Sequence, residues 1–179
     1  MLAVLADTHA AADPRLRGRT ATAVADADRV VHAGDLTTAA VLDRLADAAG
    51  GPVHAVHGNA DDPAVRDRLP ATRTLAHGGV RIVVTHTREG GRTALSMLGR
   101  ARDAALVVSG HTHRPAVVDG PPTLLNPGSH AAPRGGAPAA HAELRAAEDG
   151  LDGTVRAADG TVVERFAVGR PDDAGTERG

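Results

Sequence analysis

Ala104-Ala105-Leu106-Val107-Val108-Ser109-Gly110-His111-Thr112-His113 decides how the rest of the chain is read. A short apolar run that ends in glycine predicts a buried strand giving way to a tight loop. Two imidazoles sit at that exit, and their i, i+2 spacing can turn both rings toward one pocket, one to each of two adjacent metal ions. Gly110 lets the backbone come close. A lone His-x-His is also what an ordinary surface loop carries, so its meaning depends on the other strand exits.

Four more apolar runs end in residues of the same chemistry. Leu2 to Ala6 reads as a buried strand closed by Asp7-Thr8-His9, at the end of the strand where open α/β sheets place their sites. Val30-Val31-His32-Ala33 is followed by Gly34-Asp35, a carboxylate able to bridge two cations with its two oxygens. Val53 to Val56 exits through His57-Gly58-Asn59-Ala60-Asp61, where Asn59 offers a carbonyl oxygen and Asp61 can orient a neighbouring ligand. Val80 to Val84 runs into Thr85-His86-Thr87. Each signal has an ordinary reading beside it: an Asx turn at Asp7, a plain Gly-Asp turn, a left-handed Asn after glycine.

Between these strands the periodicity predicts a helix over Pro14 to Ala25 and another, capped by Thr37 or Thr38, through about Ala48 with Val41, Leu42 and Leu45 as its apolar stripe. Pro63 to Leu69 makes one short helix. Arg73–Ala76 and Val80–Val84 flank His77-Gly78-Gly79 as a hairpin, and Thr93 to Ala105 is helical, with Ala94, Leu95, Leu98 and Ala101 in register. Beyond His113, the pieces Ala116–Val118, Thr123–Leu125, His141–Leu144, Thr154–Val155 and Thr161–Val168 read as short strands of a second sheet. Residues 1–168 are expected to form one domain and the polar 169–179 a tail.

Composition removes several classes of function. All 20 of the Lys+Arg residues are arginine, which excludes a P-loop lysine and a Schiff-base or general-base lysine. The net charge of −2, with arginine scattered along the chain, argues against long nucleic acid, and one Phe with no Trp or Tyr leaves no stacking platform for bases. Without cysteine, any metal must be held by His, Asp, Glu or Asn. No apolar stretch approaches membrane-spanning length, and the first residues lack a basic region ahead of Asp7, so a cytoplasmic protein is expected.

Taken together, Asp7-x-His9, Gly34-Asp35, Gly58-Asn59, His86 and Gly110-His111-x-His113 resemble the signature of the calcineurin-like metallophosphoesterase superfamily. More narrowly, Asn126-Pro127-Gly128-Ser129 followed by Pro133-Arg134-Gly135 resembles the small YfcE-type phosphodiesterases. The resemblance implies an α/β fold, a four-layer αββα sandwich of two mixed β-sheets flanked by helices. It implies that Asp7, His9 and His113 hold one divalent ion, that Asn59, His86 and His111 hold a second, and that Asp35 bridges them. A hydroxide generated on the metals would attack the phosphorus of a small phosphodiester, with Asp35, Asn59, His86 and His57 as catalytic candidates. Two divalent ions are expected, Mn²⁺ ahead of Fe²⁺, Co²⁺, Ni²⁺ or Zn²⁺.

The departures are as informative. Many members of the superfamily have His after Gly-Asn, positioned to protonate the leaving oxygen, whereas this chain has Ala60; Ala10 and Thr87 replace glycines of the family pattern. These changes bear on substrate placement, not on the metal donors. His32 reads as a core or supporting residue, His54, His77, His130 and His141 as structural or solvated, and Arg88 and Arg134 as surface salt-bridge partners. A phosphomonoesterase or nucleotidase stands beside the phosphodiesterase. From a different class comes a protein-binding scaffold on the same fold, which would be expected to have lost donors. Homo-oligomerisation stays open.

Overall fold

The computed structural model describes residues 1–170. In chain order it runs β1 (Leu2–Leu5), α1 (Gly18–Ala25), β2 (Arg29–Ala33), α2 (Ala39–Ala48), β3 (Val53–Val56) and α3 (Pro63–Arg66). The hairpin β4 (Thr72–His77) and β5 (Val80–Thr85) follows, then α4 (Gly91–Arg100), β6 (Leu106–Val108), β7 (Pro115–Val118) and β8 (Thr123–Pro127). A meander of β9 (Ala140–Ala147), β10 (Gly150–Ala157) and β11 (Val162–Gly169) ends the described chain.

These strands form two mixed sheets, ordered β11-β10-β9-β1-β2-β3 and β4-β5-β6-β8-β7. β1, β2 and β3 are parallel, as are β5, β6 and β8, while β4, β7 and the meander pair antiparallel. The alternation along β1 builds the layers. Leu2 and Val4 point into the core between the sheets, against Ile82, Val84, Leu106 and Val108. Ala3 and Leu5 point outward onto Val24 of α1, Val41, Leu42 and Leu45 of α2 and Val65 of α3. Val83 and Val107 of the second sheet face Leu95 and Leu98 of α4. Strands buried on both faces read as continuous apolar runs, which is why the sequence shows them without alternation.

The structure corrects the expected second sheet. β7 and β8 do join β4, β5 and β6, but the meander extends the first sheet by pairing β9 with β1. Its strands are also full length, Thr154–Val155 being the middle of β10. The helix expected from Pro14 starts only at Gly18, because Arg15 (φ 54°) and Gly18 (φ 49°) break the earlier turn. At Gly18 a Cβ would lie 2.2 Å from the Ala158 carbonyl oxygen, so only glycine fits that entry. α4 stops at Arg100 rather than Ala105, since Asp103 turns left-handed (φ 50°) and the Ala104 N–H returns to Gly99 O. α3 ends at Arg66, short of Leu69. β11 runs one residue past the expected edge of the domain, and residues 171–179 of the expected tail lie outside the described residues.

Candidate metal centre

The five ligand-bearing loops leave the C-terminal ends of β1, β2, β3, β5 and β6 and are laid against one another by main-chain hydrogen bonds. The Asp7 N–H donates to Gly34 O and the His9 N–H to Asp35 O, both at 3.0 Å, and the Gly110 N–H donates to His86 O at 2.9 Å. The approach is close enough to demand glycine. A Cβ on Gly58 would sit 2.1 Å from Asp35 Oδ1, and one on Gly110 would press at 3.0 Å on both Asp7 Oδ2 and the Ala33 carbonyl. Eight described non-glycine residues have positive φ, and five of them are Asp7, His9, Asp35, His111 and His113. Left-handed backbone costs an L-residue on the order of 1–2 kcal/mol. Concentration of that cost at one end of the sandwich marks a site held in place by the layers beneath it.

Donor atoms converge in two sets, Asp7/His9/His113 and Asp7/Asp35/His86, each within 4.8 Å. Asp35 Oδ2 lies 3.2 Å from His9 Nε2 and 3.2 Å from His86 Nε2. Asn59 Oδ1 closes the second set, 3.0 Å from His86 Nε2 and 2.9 Å from His111 Nδ1. The rings of His9 and His113 stack at 4.6 Å, and those of His86 and His111 meet edge-on at 5.3 Å. Asp35 Oδ1 accepts the Ala60 N–H at 2.7 Å, which fixes the carboxylate with Oδ2 facing both imidazoles.

Surrounding groups fix these donors. His86 Nδ1–H donates to Ala33 O (2.8 Å) and His113 Nδ1–H to Ala132 O (2.6 Å), which leaves each Nε2 lone pair facing the centre. Asp61 accepts three N–H groups, from Asp35 (3.0 Å), Gly58 (2.7 Å) and Thr37 (2.6 Å). Arg66 binds the carbonyls of Asp61 and Asn59, both at 2.8 Å, and so holds the loop between β3 and α3. Ser129 Oγ donates to Asp7 O at 2.7 Å, and Asn126 Nδ2 donates to Gly110 O at 2.7 Å. The sequence points to the supporting part of Asp61 and marks Asn126 and Ser129 as part of a family-like motif without giving them a role; Arg66 carries no local signal, lying within the short helix expected over Pro63 to Leu69.

The residues fit divalent cations. Asp7 Oδ2 and His9 Nε2 are buried with no hydrogen-bond partner. Burial pushes the Asp7 carboxyl up against the opposing influence of His86 and His113. Burial would also raise Asp35, but hydrogen bonds from His86 and the Ala60 N–H outweigh it and bring the carboxyl to about 2. Burial lowers His86, and the Asp35 carboxylate more than reverses this. In the neutral ring, His86 Nε2, Asp35 Oδ2 and Asn59 Oδ1 are three acceptors pointed at one another. Only a proton or a metal ion relieves that arrangement, and an O/N set of this kind suits first-row divalent metals.

The remaining candidates fall at the edge or outside. His57 is half-buried on the wall of a cleft shared with Asn59 and His86, and does not belong to either donor set. His32 is fully buried with Nε2 2.8 Å from Thr8 Oγ1, and burial lowers it to about 3. His130 reaches Pro14 O at 2.8 Å, and burial lowers it to about 4. The salt bridges expected at Arg88 and Arg134 are absent among the described residues.

Residues 1–149 match the family model of the calcineurin-like phosphoesterase superfamily domain. A probable metallophosphoesterase of Methanothermobacter thermautotrophicus is 34% identical over 142 residues, covering 75% of this chain and 79% of that protein. Probable metallophosphoesterase MJ0623 of Methanocaldococcus jannaschii is 38% identical over 112 residues, 60% of this chain, and the match spans only 55% of that protein's length. Among solved structures, the phosphoesterase YfcE of E. coli superposes with a TM-score of 0.66 at 25% identity, over 93% of this chain and 98% of that one. Vps29 of Entamoeba histolytica, solved with zinc, gives 0.73 at 24% identity over 93% and 98%, a likeness of fold.

Proposed function

The chain belongs to the calcineurin-like phosphoesterase superfamily, and we propose that within it this protein is a dimetal-dependent phosphodiesterase acting on small diesters in the cytoplasm. The observation that carries the reading is Asp35 Oδ2, which faces one donor from each side of the centre, His9 Nε2 and His86 Nε2, at 3.2 Å each. On this reading Asp7, His9 and His113 would hold one ion, Asn59, His86 and His111 the other, and Asp35 would serve both. Mn²⁺ is the favoured activator. Such ions supply a nucleophile at neutral pH, by lowering the pKa of water toward ~7, and offset charge that builds on the phosphoryl oxygens.

The chain's own contribution is placement. Ala33 O and Ala132 O hold the His86 and His113 rings so that neither must reorient during the reaction. Asp35 stays ionised across the working range because His86 and the Ala60 N–H stabilise its charge. Ala60 provides that N–H but no acid side chain, so the leaving oxygen receives no proton from this position. His57, which lines the same cleft as Asn59, is the side chain we assign as the candidate donor of that proton. A scaffold that had abandoned catalysis would not need this complete donor set, which favours the enzyme over the protein-binding reading.

The test is a substrate panel on metal-reconstituted protein. Bis-p-nitrophenyl phosphate is expected to turn over faster than alkyl diesters, since general-acid help worth ~10²–10⁴-fold is lacking at position 60, and faster than the monoester p-nitrophenyl phosphate. Activity should vanish on verified metal removal and return with Mn²⁺. Turnover that survives complete metal removal, or no diester hydrolysis with two metals bound per chain, overturns the proposal.

A further inference from the structure

The loop His86-Thr87-Arg88 stands between two clefts that meet at the metal centre, and all three residues line both. One cleft, about 480 Å³, is walled by His57, Asn59, Arg66, Thr72 and Thr85 and carries an acidic residue, Glu89. The other, about 580 Å³, runs under α4 past His111, over Leu95, Ala116, Val118 and Leu124. A phosphodiester sends two ester arms in different directions from phosphorus. Two clefts diverging from one centre therefore offer each arm its own place, and the clefts differ in what they would accept.

The cleft under α4 has an apolar floor, with Leu95 and Leu124 only 9% and 6% exposed. Its lining includes Arg88, Arg92 and Arg114 and no Asp or Glu. None of the three arginines forms an ion pair among the described residues. This is a local excess of positive charge in a chain whose net charge is −2. Unmatched guanidinium groups beside a low-dielectric wall attract an anion and can bind a carboxylate or phosphate bidentately.

We propose that the cleft under α4 is a specificity subsite for a diester arm that has an apolar body and carries its own negative charge. The inference rests on the phosphodiesterase reading above. The body of the arm lies against the aliphatic floor and its anion meets Arg92 and Arg114. The polar cleft beside His57 receives the other arm.

Three p-nitrophenyl phosphodiesters test this, with phenyl, 4-carboxyphenyl or 4-(phosphonomethyl)phenyl as the second arm. In the metal-loaded wild type the charged arms should raise kcat/KM roughly tenfold over phenyl, through KM, as expected for charge-assisted contacts. The carboxylate and phosphonate arms separate the two kinds of anion. In the double variant Arg92→Gln/Arg114→Gln the charged-to-neutral ratio should fall to about one, because the guanidinium groups that make the charge-assisted contacts are gone. Calorimetric titration with the matching phosphinates, which cannot be hydrolysed, reads the same ratio as affinity. A wild-type ratio of one or less, or a ratio that the double variant keeps, overturns the subsite. Failure of every diester to turn over sinks the phosphodiesterase reading and the subsite with it; turnover without charge preference sinks the subsite alone.

Discussion

Two clusters of carboxylate and imidazole draw on the first sheet, and they are finished to different degrees. In the cluster around Glu143, Oε1 accepts from Arg19 Nε at 2.7 Å and Oε2 from Arg19 Nη2 at 2.8 Å. His141 lies 3.3 Å away through Nε2 and meets Thr20 Oγ1 through Nδ1 at 2.9 Å. Burial would raise Glu143, but Arg19 and His141 outweigh it and hold the carboxyl below its ordinary value. At the candidate metal centre the same two residue types leave Asp7 Oδ2 and His9 Nε2 without partners. In the first cluster both carboxylate oxygens and both imidazole nitrogens are engaged, with Arg156 Nε, 3.5 Å from Glu143 Oε1, left without a hydrogen-bond partner, and the cluster fastens α1 to β9; the second leaves a carboxylate oxygen and an imidazole nitrogen of its own open.

The largest effect that would break this contrast belongs to Asp35. Asp35→Ala should lower turnover by roughly 10²–10³-fold or more and reduce metal occupancy, while Asn59→Ala, which removes one neutral oxygen, should do less of both. Metal stoichiometry on the two variants decides it, and full two-metal occupancy without Asp35 would show that the bridge is misassigned. Glu143→Ala attacks the closed cluster instead. It should cost about 2–3 kcal/mol in denaturant unfolding, below the 3–5 typical of a fully buried pair because Arg19 is partly solvated, and leave metal stoichiometry unchanged. Loss of metal in that variant would mean the two clusters are not separate.

Smaller effects sharpen the picture. Asp61→Asn replaces an acceptor of three N–H groups with an amide that can accept at only one end, and metal affinity should fall ~10–100-fold with the fold intact. Competition with a chromophoric chelator measures this, and unchanged affinity would remove Asp61 from the support of the site. The smallest effect is a pH slope. Burial keeps His32 and His130 neutral down to about 3 and about 4, whereas the unfolded chain protonates near 6.5. Below 6.5 the unfolded state takes up protons that the folded state refuses, so stability falls as pH drops, by up to ~1.4 kcal/mol per pH unit per imidazole. Unfolding midpoints of metal-free protein between pH 7 and 5 should show it, and His130→Gln should flatten the slope; an unchanged slope would mean that His130 does not contribute.

Much of this was legible in the primary structure because strand exits are short and local. Asp7, Asp35, Asn59, His86, His111 and His113 each follow an apolar run within a few residues, so reading the runs picks out the side chains that converge at this end of the sandwich. Thr38 and the Val41, Leu42, Leu45 stripe were equally plain, and Thr38 Oγ1 does accept the Val41 N–H. What escaped depends on contacts between distant segments. The meander's place beside β1 is set by pairing of Leu2 with Leu144, which no local pattern encodes. The late start of α1 follows from left-handed backbone at Arg15 and Gly18, where the chain passes against Ala158 O, and the setting of the Asp35 carboxylate follows from an N–H donated across the site by Ala60.

The donors are divided between the layers. Asp7, His9, Asp35 and Asn59 follow strands of the first sheet; His86, His111 and His113 follow strands of the second. Ions held there would act as rivets through the seam of the sandwich, and a ligand that binds only the folded state adds RT ln(1 + [L]/Kd) to its stability. On the proposed ligand set, chelation would loosen the joint between the sheets at the end where left-handed backbone already strains it, and thermal stability would then gauge metal supply.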